Sequence, residues 1–145
     1  MPSRPTTKRE AAVLRFIYEQ FKDKPIVGVS DVAKFLGISP ASAFEIINRI
    51  VKKELLTRIK RRGYVLTKSG LSEAEKLVFI HRVLEYVFFK VFGMSPENAC
   101  KLAAQIDYLV EVHNANKTFE SLECPTHCPC NKEIPRIKLV AANER

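Results

Sequence analysis

Apolar residues recur at the spacing of a helix face along the first fifty positions, then switch to the shorter period of strands between residues 55 and 67. Ala11, Leu14, Ile17, Tyr18 and Phe21 predict a first helix, led into by Pro5 and Thr6 or Thr7 and broken at Lys24-Pro25. After an extended Ile26-Val27-Gly28-Val29, Ser30 is expected to cap a short helix, with Asp31 in its first turn and Gly37 at its end. Ser39 is a good N-cap for a third helix that starts at Pro40 and runs to about Lys53. Its apolar stripe of Ala43, Ile46, Ile47 and Ile50 leaves Ser42, Glu45, Asn48, Arg49 and Lys52 on the other side. Leu55 to Ile59 and Gly63 to Thr67 are rich in strand formers, and Lys60-Arg61-Arg62-Gly63 between them forms a hairpin tip. Beyond Thr67 three helices are expected, over residues 69–92, 96–109 and 111–122. The fold class that follows is mainly α with a small β-wing: an N-terminal winged helix-turn-helix over residues 1–68 and a C-terminal helical dimerisation domain over 69–145.

Charge sharpens this picture. Residues 1–68 hold fifteen basic and six acidic side chains, a net of +9, whereas residues 69–145 hold nine and ten. Between Arg49 and Lys68 eight basic residues face one acid, Glu54. A polyanion would meet only the first half of the chain. In a helix-turn-helix the second helix lies in the major groove. Ser39, Ala41, Ser42 and Glu45 are therefore the candidates for reading bases, while Asn48, Arg49, Lys52, Arg58, Lys60, Arg61 and Arg62 reach phosphate. A winged helix can also be an interaction adaptor, but the dense positive charge favours double-stranded DNA. In the second half Val83, Leu84, Val87, Phe88, Val91 and Phe92 exceed what one helix usually buries, which predicts a homodimer and, with it, a palindromic operator. No apolar run approaches the roughly 20 residues of a membrane span, and the start MPSRPTTKRE lacks a signal-peptide core, so a cytoplasmic location without a membrane partner is expected.

Candidate chemistry lies in the second half. His81 and Glu85 are four apart, on one face of a helix, and the next helix adds Cys100 and Asp107. The segment ECPTHCPCNKEIP then supplies Cys124, His127, Cys128 and Cys130. Thiolates beside imidazole select zinc, iron or copper(I) over magnesium or calcium. The four tail residues could form a site by themselves, yet His127 and Cys128 are adjacent and neighbours rarely point at one ion. A site that combines His81, Glu85 and Cys100 with a tail cysteine is the alternative. Free thiols in a loop are the third.

The winged helix, the LTKSG of Leu66 to Gly70, the HRVLE of His81 to Glu85, Phe92-Gly93 and the CPCNKEIP of Cys128 to Pro135 together resemble the DtxR/MntR family of metal-dependent transcriptional repressors, in its short form without an SH3-like domain. The likeness spans roughly residues 7–137. It implies a homodimer that binds palindromic operators when divalent metal is present. It implies His81 and Glu85 as ligands of one site, with Cys100 where some members place a His. A second family site looks eroded, because Ala12, Ala104, Asp107 and Tyr108 stand where the family has other residues. With Cys130 in place of a His, the remaining site is expected to suit zinc.

The expected function is thus a homodimeric DNA-binding transcriptional regulator, a repressor, with a divalent transition metal, zinc, in its dimerisation domain. The alternatives are a metal-independent or thiol-redox-responsive regulator with a structural zinc, and the adaptor. An enzyme is not expected, since the sequence offers no general base in a cleft, no catalytic residue and no small-molecule substrate loop.

Overall fold

The computed structural model describes residues 7–138, so Pro5 and Thr6 lie outside the described residues. Its element order is α1 (Lys8–Gln20), α2 (Val29–Leu36), α3 (Pro40–Lys52), β1 (Leu56–Ile59), β2 (Gly63–Leu66), α4 (Lys68–Lys90), α5 (Pro96–Ile106), a single 3-10 turn (Asp107–Leu109) and α6 (Val112–Ser121). The fold is mainly α with one two-stranded antiparallel sheet. It divides into two compact units, Met1–Ala74 and Glu75–Arg145.

In the first unit, Thr7 caps α1 by accepting from the Glu10 N–H at 3.1 Å. The inner face of α1 buries Ala11, Val13, Leu14 and Ile17, and α3 buries Ala43, Ile46, Ile47 and Ile50. Burial also takes Glu10, whose carboxylate accepts from Lys53 Nζ at 2.7 Å. Lys53 therefore answers an acid inside the unit, and one of the eight basic residues counted above is already engaged.

The cap of α2 differs from expectation. The helix begins at Val29 with Gly28 as N-cap, and Asp31 reaches back to accept from the Gly28 N–H at 2.8 Å. Ser30 lies inside the helix, because the N3 carboxylate of Asp31 reaches back to the N-cap N–H of Gly28 and fixes the cap one residue before Val29. Gly37 ends α2 in the left-handed conformation, φ 66°.

β1 and β2 pair with Leu56 opposite Leu66 and Ile59 opposite Gly63, leaving Lys60, Arg61 and Arg62 as an exposed tip. Val27 adds an isolated bridge to Tyr64, with both backbone hydrogen bonds formed at 2.9 and 2.8 Å. The LTKSG junction has a mechanical reason. Thr67 donates to the Glu54 carbonyl at 2.6 Å and accepts from the Gly70 N–H at 2.9 Å. A Cβ on Gly70 would lie 1.8 Å from the Leu55 carbonyl oxygen, so only glycine fits there. The beginning of α4 is thus tied to the root of the hairpin, and the first unit includes it through Ala74.

The second unit is built on Phe79, Ile80 and Val83 of α4, which pack with Ala115 and Phe119 of α6 and with Cys128 and Ile134 of the tail. Phe79 and Phe119 meet edge to face, their centroids 5.2 Å apart. The tail is pinned by backbone bonds from Cys128 to Lys132 and from Ile134 to Thr126, and by the Arg82 guanidinium donating to the Glu133 carbonyl. Helix α4 ends at Lys90, so Val91 and Phe92 lie beyond it, 66% and 68% exposed.

Candidate metal centre and nucleic-acid interface

One turn of α4 separates His81 from Glu85, and α5 brings Cys100 against both. Nε2 of His81 lies 3.4 Å from Cys100 Sγ and 3.7 Å from Glu85 Oε2. Donor atoms of these three residues all lie within 4.8 Å of one another. The opposite ring nitrogen, Nδ1, faces Asp107 Oδ2 at 3.1 Å. Asp107 therefore does not join the donor set expected of it from the sequence. It sits behind the imidazole, where a carboxylate holds Nδ1 protonated and leaves the Nε2 lone pair directed at the other two donors.

The tail reaches the same place. Burial pushes the Cys128 thiol up, opposed by the Lys132 backbone N–H, and the charge of Glu85 raises it further. Cys130 is pushed up to about 12, first by its hydrogen bond with the Glu85 carboxylate, then by burial and by the charges of Glu85, Cys100 and Cys128. Its sulfur also lies 3.7 Å from the Pro96 carbonyl at the start of α5. Cys124 and His127 are not brought in: both are exposed, and the His127 ring bonds to the neighbouring Thr126 hydroxyl at 3.0 Å.

The donor set fits a cation on a direct observation. Glu85 is 2% exposed and its Oε1 is buried with no hydrogen-bond partner. A buried carboxylate oxygen left unsatisfied costs several kcal/mol (about 1 to 3 for a neutral group, more for a charged one), which a positive charge among these donors would offset. Imidazole nitrogen, carboxylate oxygen and thiols together make a donor set of the transition-metal kind.

The first unit presents a second surface. Ala41, Glu45, Arg49 and Lys52 of α3 are exposed, Ser42 and Asn48 are half-buried, and Arg58, Lys60, Arg61 and Arg62 of the hairpin are exposed. Ser39 is occupied as a cap, its hydroxyl accepting from the Ser42 N–H at 3.2 Å and bonded to the Ser42 hydroxyl at 3.0 Å. Sequence reasoning missed Phe44, which stands 46% exposed on the same helix; its break from the apolar stripe was the available signal.

Comparison with known proteins places this arrangement. The family model described as the iron-dependent repressor N-terminal DNA-binding domain matches residues 6–69, and that of the iron-dependent repressor metal-binding and dimerisation domain matches residues 67–136. The chain belongs to the DtxR/MntR family of metal-dependent repressors. This DtxR/MntR-family chain is 37% identical over 82 residues to the HTH-type transcriptional regulator MntR of Geobacillus kaustophilus, over 57% of each protein. With MntR of Bacillus subtilis it shares 33% identity over 92 residues, 63% of this chain and 64% of that one. It thus spans less than two thirds of the length of these relatives. Among solved structures, a hypothetical protein from Sulfolobus solfataricus matches with a TM-score of 0.73 at 29% identity, over 90% of this chain and 99% of that one. ScaR with bound Zn2+ matches at 0.72 and 26%, over 90% and 60%. The manganese regulator SloR, at 0.80 and 22% over 90% and 61%, shares the fold.

Proposed function

We propose that this member of the family is a homodimeric, cytoplasmic transcriptional repressor that binds palindromic double-stranded DNA when a divalent metal, zinc, occupies its second unit. The observation that carries the metal assignment is the grouping of donor atoms of His81, Glu85 and Cys100 within 4.8 Å of one another, on a buried carboxylate whose Oε1 lacks a hydrogen-bond partner. His81, Glu85 and Cys100 would hold the ion, with Cys128 or Cys130 completing the set. Of the structural relatives, SloR is a manganese regulator, and ScaR, a manganese-activated repressor, has been solved with bound Zn2+ and with bound Cd2+. The thiols of this chain favour zinc over manganese, because soft sulfur suits zinc and manganese prefers oxygen. When bound, the ion would act as a Lewis acid that links donors from α4, α5 and the tail.

The chain's own residues supply the rest. Asp107 orients His81 so that Nε2 is available. Ile134 and Arg82 hold the tail in place against α4, so that Cys128 and Cys130 stay near Glu85. Phe89, Val91, Phe92, Leu102 and Leu109 offer exposed apolar surface for a second copy. In the first unit, Asn48, Arg49, Lys52, Arg58, Lys60, Arg61 and Arg62 would reach phosphates, while Ala41, Ser42 and Glu45 would meet base edges. Catalysis has no part in this reading, which is that of a regulator.

The test combines metal content with duplex binding. Purified protein should carry zinc, Cys100→Ser should lose most of it, and duplex affinity should fall steeply with salt, with a log–log slope of about −0.9 for each phosphate contact. Chelation should weaken binding. Manganese retained in preference to zinc by the intact chain would overturn the metal assignment, and a salt-independent affinity would overturn the DNA assignment.

A further inference from the structure

Phe44 has no role in the function proposed so far. It lies in the second turn of α3, yet the inner side of that helix is already filled by Ala43, Ile46, Ile47 and Ile50. The first unit exposes one other large aromatic ring among the described residues, Phe35 at 48%, and it is stacked on Phe16 with centroids 4.2 Å apart. Phe44, at 46%, has no such ring partner among the described residues. An apolar ring 46% exposed on the outward side of this helix is available to an apolar feature of whatever that side meets.

Helical spacing groups the neighbours. Ala41, Glu45, Asn48 and Lys52 follow one another at three or four residues along the outward side of α3, and Phe44 lies three residues from Ala41 and four from Asn48. That side has two edges: Ala41 and Phe44 are apolar, while Glu45, Asn48 and Lys52 are polar or charged. The basic residues of α3 and the hairpin make DNA the partner whose charge fits this surface. In the major groove the apolar feature of a base edge is the C5-methyl of thymine. We propose that Phe44, flanked by Ala41, is a specificity-determining residue that packs on the 5-methyl group of a thymine in each half-site. The inference rests on the DNA-binding function proposed above and names one contact within it. Phosphate contacts carry no sequence information, so the ring should affect which duplex is chosen far more than whether DNA binds.

The experiment starts with the zinc-loaded chain of 145 residues and a pool of randomised duplexes, from which preferred sites are enriched. Each thymine of an enriched site is then replaced by deoxyuridine, which deletes only the methyl group, and affinity is read by fluorescence anisotropy. For the wild type, one position per half-site should weaken binding about fourfold, the equivalent of one buried methyl group. Phe44→Ala should bind the thymine and uracil duplexes alike and should bind random duplex within about twofold of wild type, since its phosphate contacts remain. Phe44→Leu, which keeps an apolar side chain, should retain part of the discrimination, and circular dichroism confirms that both variants are folded. The inference is overturned if wild type tolerates uracil at every position, or if Phe44→Ala keeps the full uracil penalty. Failure of the wild type to bind any duplex at low salt would instead overturn the DNA-binding function itself.

Discussion

His81 shows how one side chain divides two kinds of work between its nitrogens. Nδ1 meets a fully buried carboxylate and Nε2 meets a thiol and a second carboxylate, so the ring's orientation is fixed from behind. Asp107→Asn keeps the shape but supplies a neutral partner to Nδ1, and it should weaken metal binding by about 10- to 100-fold while leaving the helical circular dichroism in place. Isothermal titration with zinc checks this; unchanged affinity would show that Asp107 does not orient the ring. As a tail ligand in the proposed site, Cys130 would set a pH dependence. Its thiol, pushed up to about 12, is protonated at neutral pH, whereas a metal ligand must be a thiolate. Metal uptake through Cys130 should therefore release a proton, and apparent affinity should rise about tenfold per pH unit per thiolate formed, as pH climbs toward the thiol's raised pKa. Cys130→Ser should lower that slope by about one proton per site if Cys130 is the tail ligand.

Among the elements, α2 owes its start to a single acid. The Asp31 carboxyl is held below its ordinary value of 3.8, first by the Gly28 N–H and then by the Lys24 ammonium 3.0 Å away. A depressed carboxyl stabilises the fold above the unfolded-state value, and that stability is lost as pH falls through the lower folded-state value. Asp31→Ala should thus cost about 1 kcal/mol near pH 7 in urea unfolding, with the difference shrinking well below pH 3.8. The third helix of the first unit was legible from period and cap, because Ser39-Pro40 is a strong start signal and the structure uses it. The Gly28 cap was not, since a glycine carries no side chain to announce it and Asp31 acts backward along the chain. The grouping of His81, Glu85 and Cys100 could be suspected from helical spacing, but the side of the ring that Asp107 occupies depends on the turn after α5, which no local pattern encodes. Likewise, the basic count of the hairpin region included Lys53, whose partner Glu10 is forty-three residues away.

At the scale of the whole molecule, the proposed repressor depends on joining two copies. A single winged helix offers few base contacts, whereas two linked copies bind their half-sites with the second event made intramolecular, which can add about 10²- to 10⁴-fold in avidity. The exposed apolar residues of the second unit would supply the surface for that linkage: Phe89, Val91, Phe92, Leu102 and Leu109 range from 39% to 68% exposed. Phe92 is a sharp probe, because it lies beyond the end of α4 and is the most exposed of these side chains. A glutamate there would have to be desolvated at a dimer interface without a partner, but in a monomer it would remain in water. Phe92→Glu should therefore sediment as a monomer at micromolar concentration, retain its zinc and its thermal stability, and lose about 100-fold or more in affinity for a palindromic duplex. Binding to a single half-site should stay near the wild-type value, since the recognition surface of the first unit is unchanged. A variant that remains dimeric and binds the palindrome fully would place the joining surface elsewhere on the second unit.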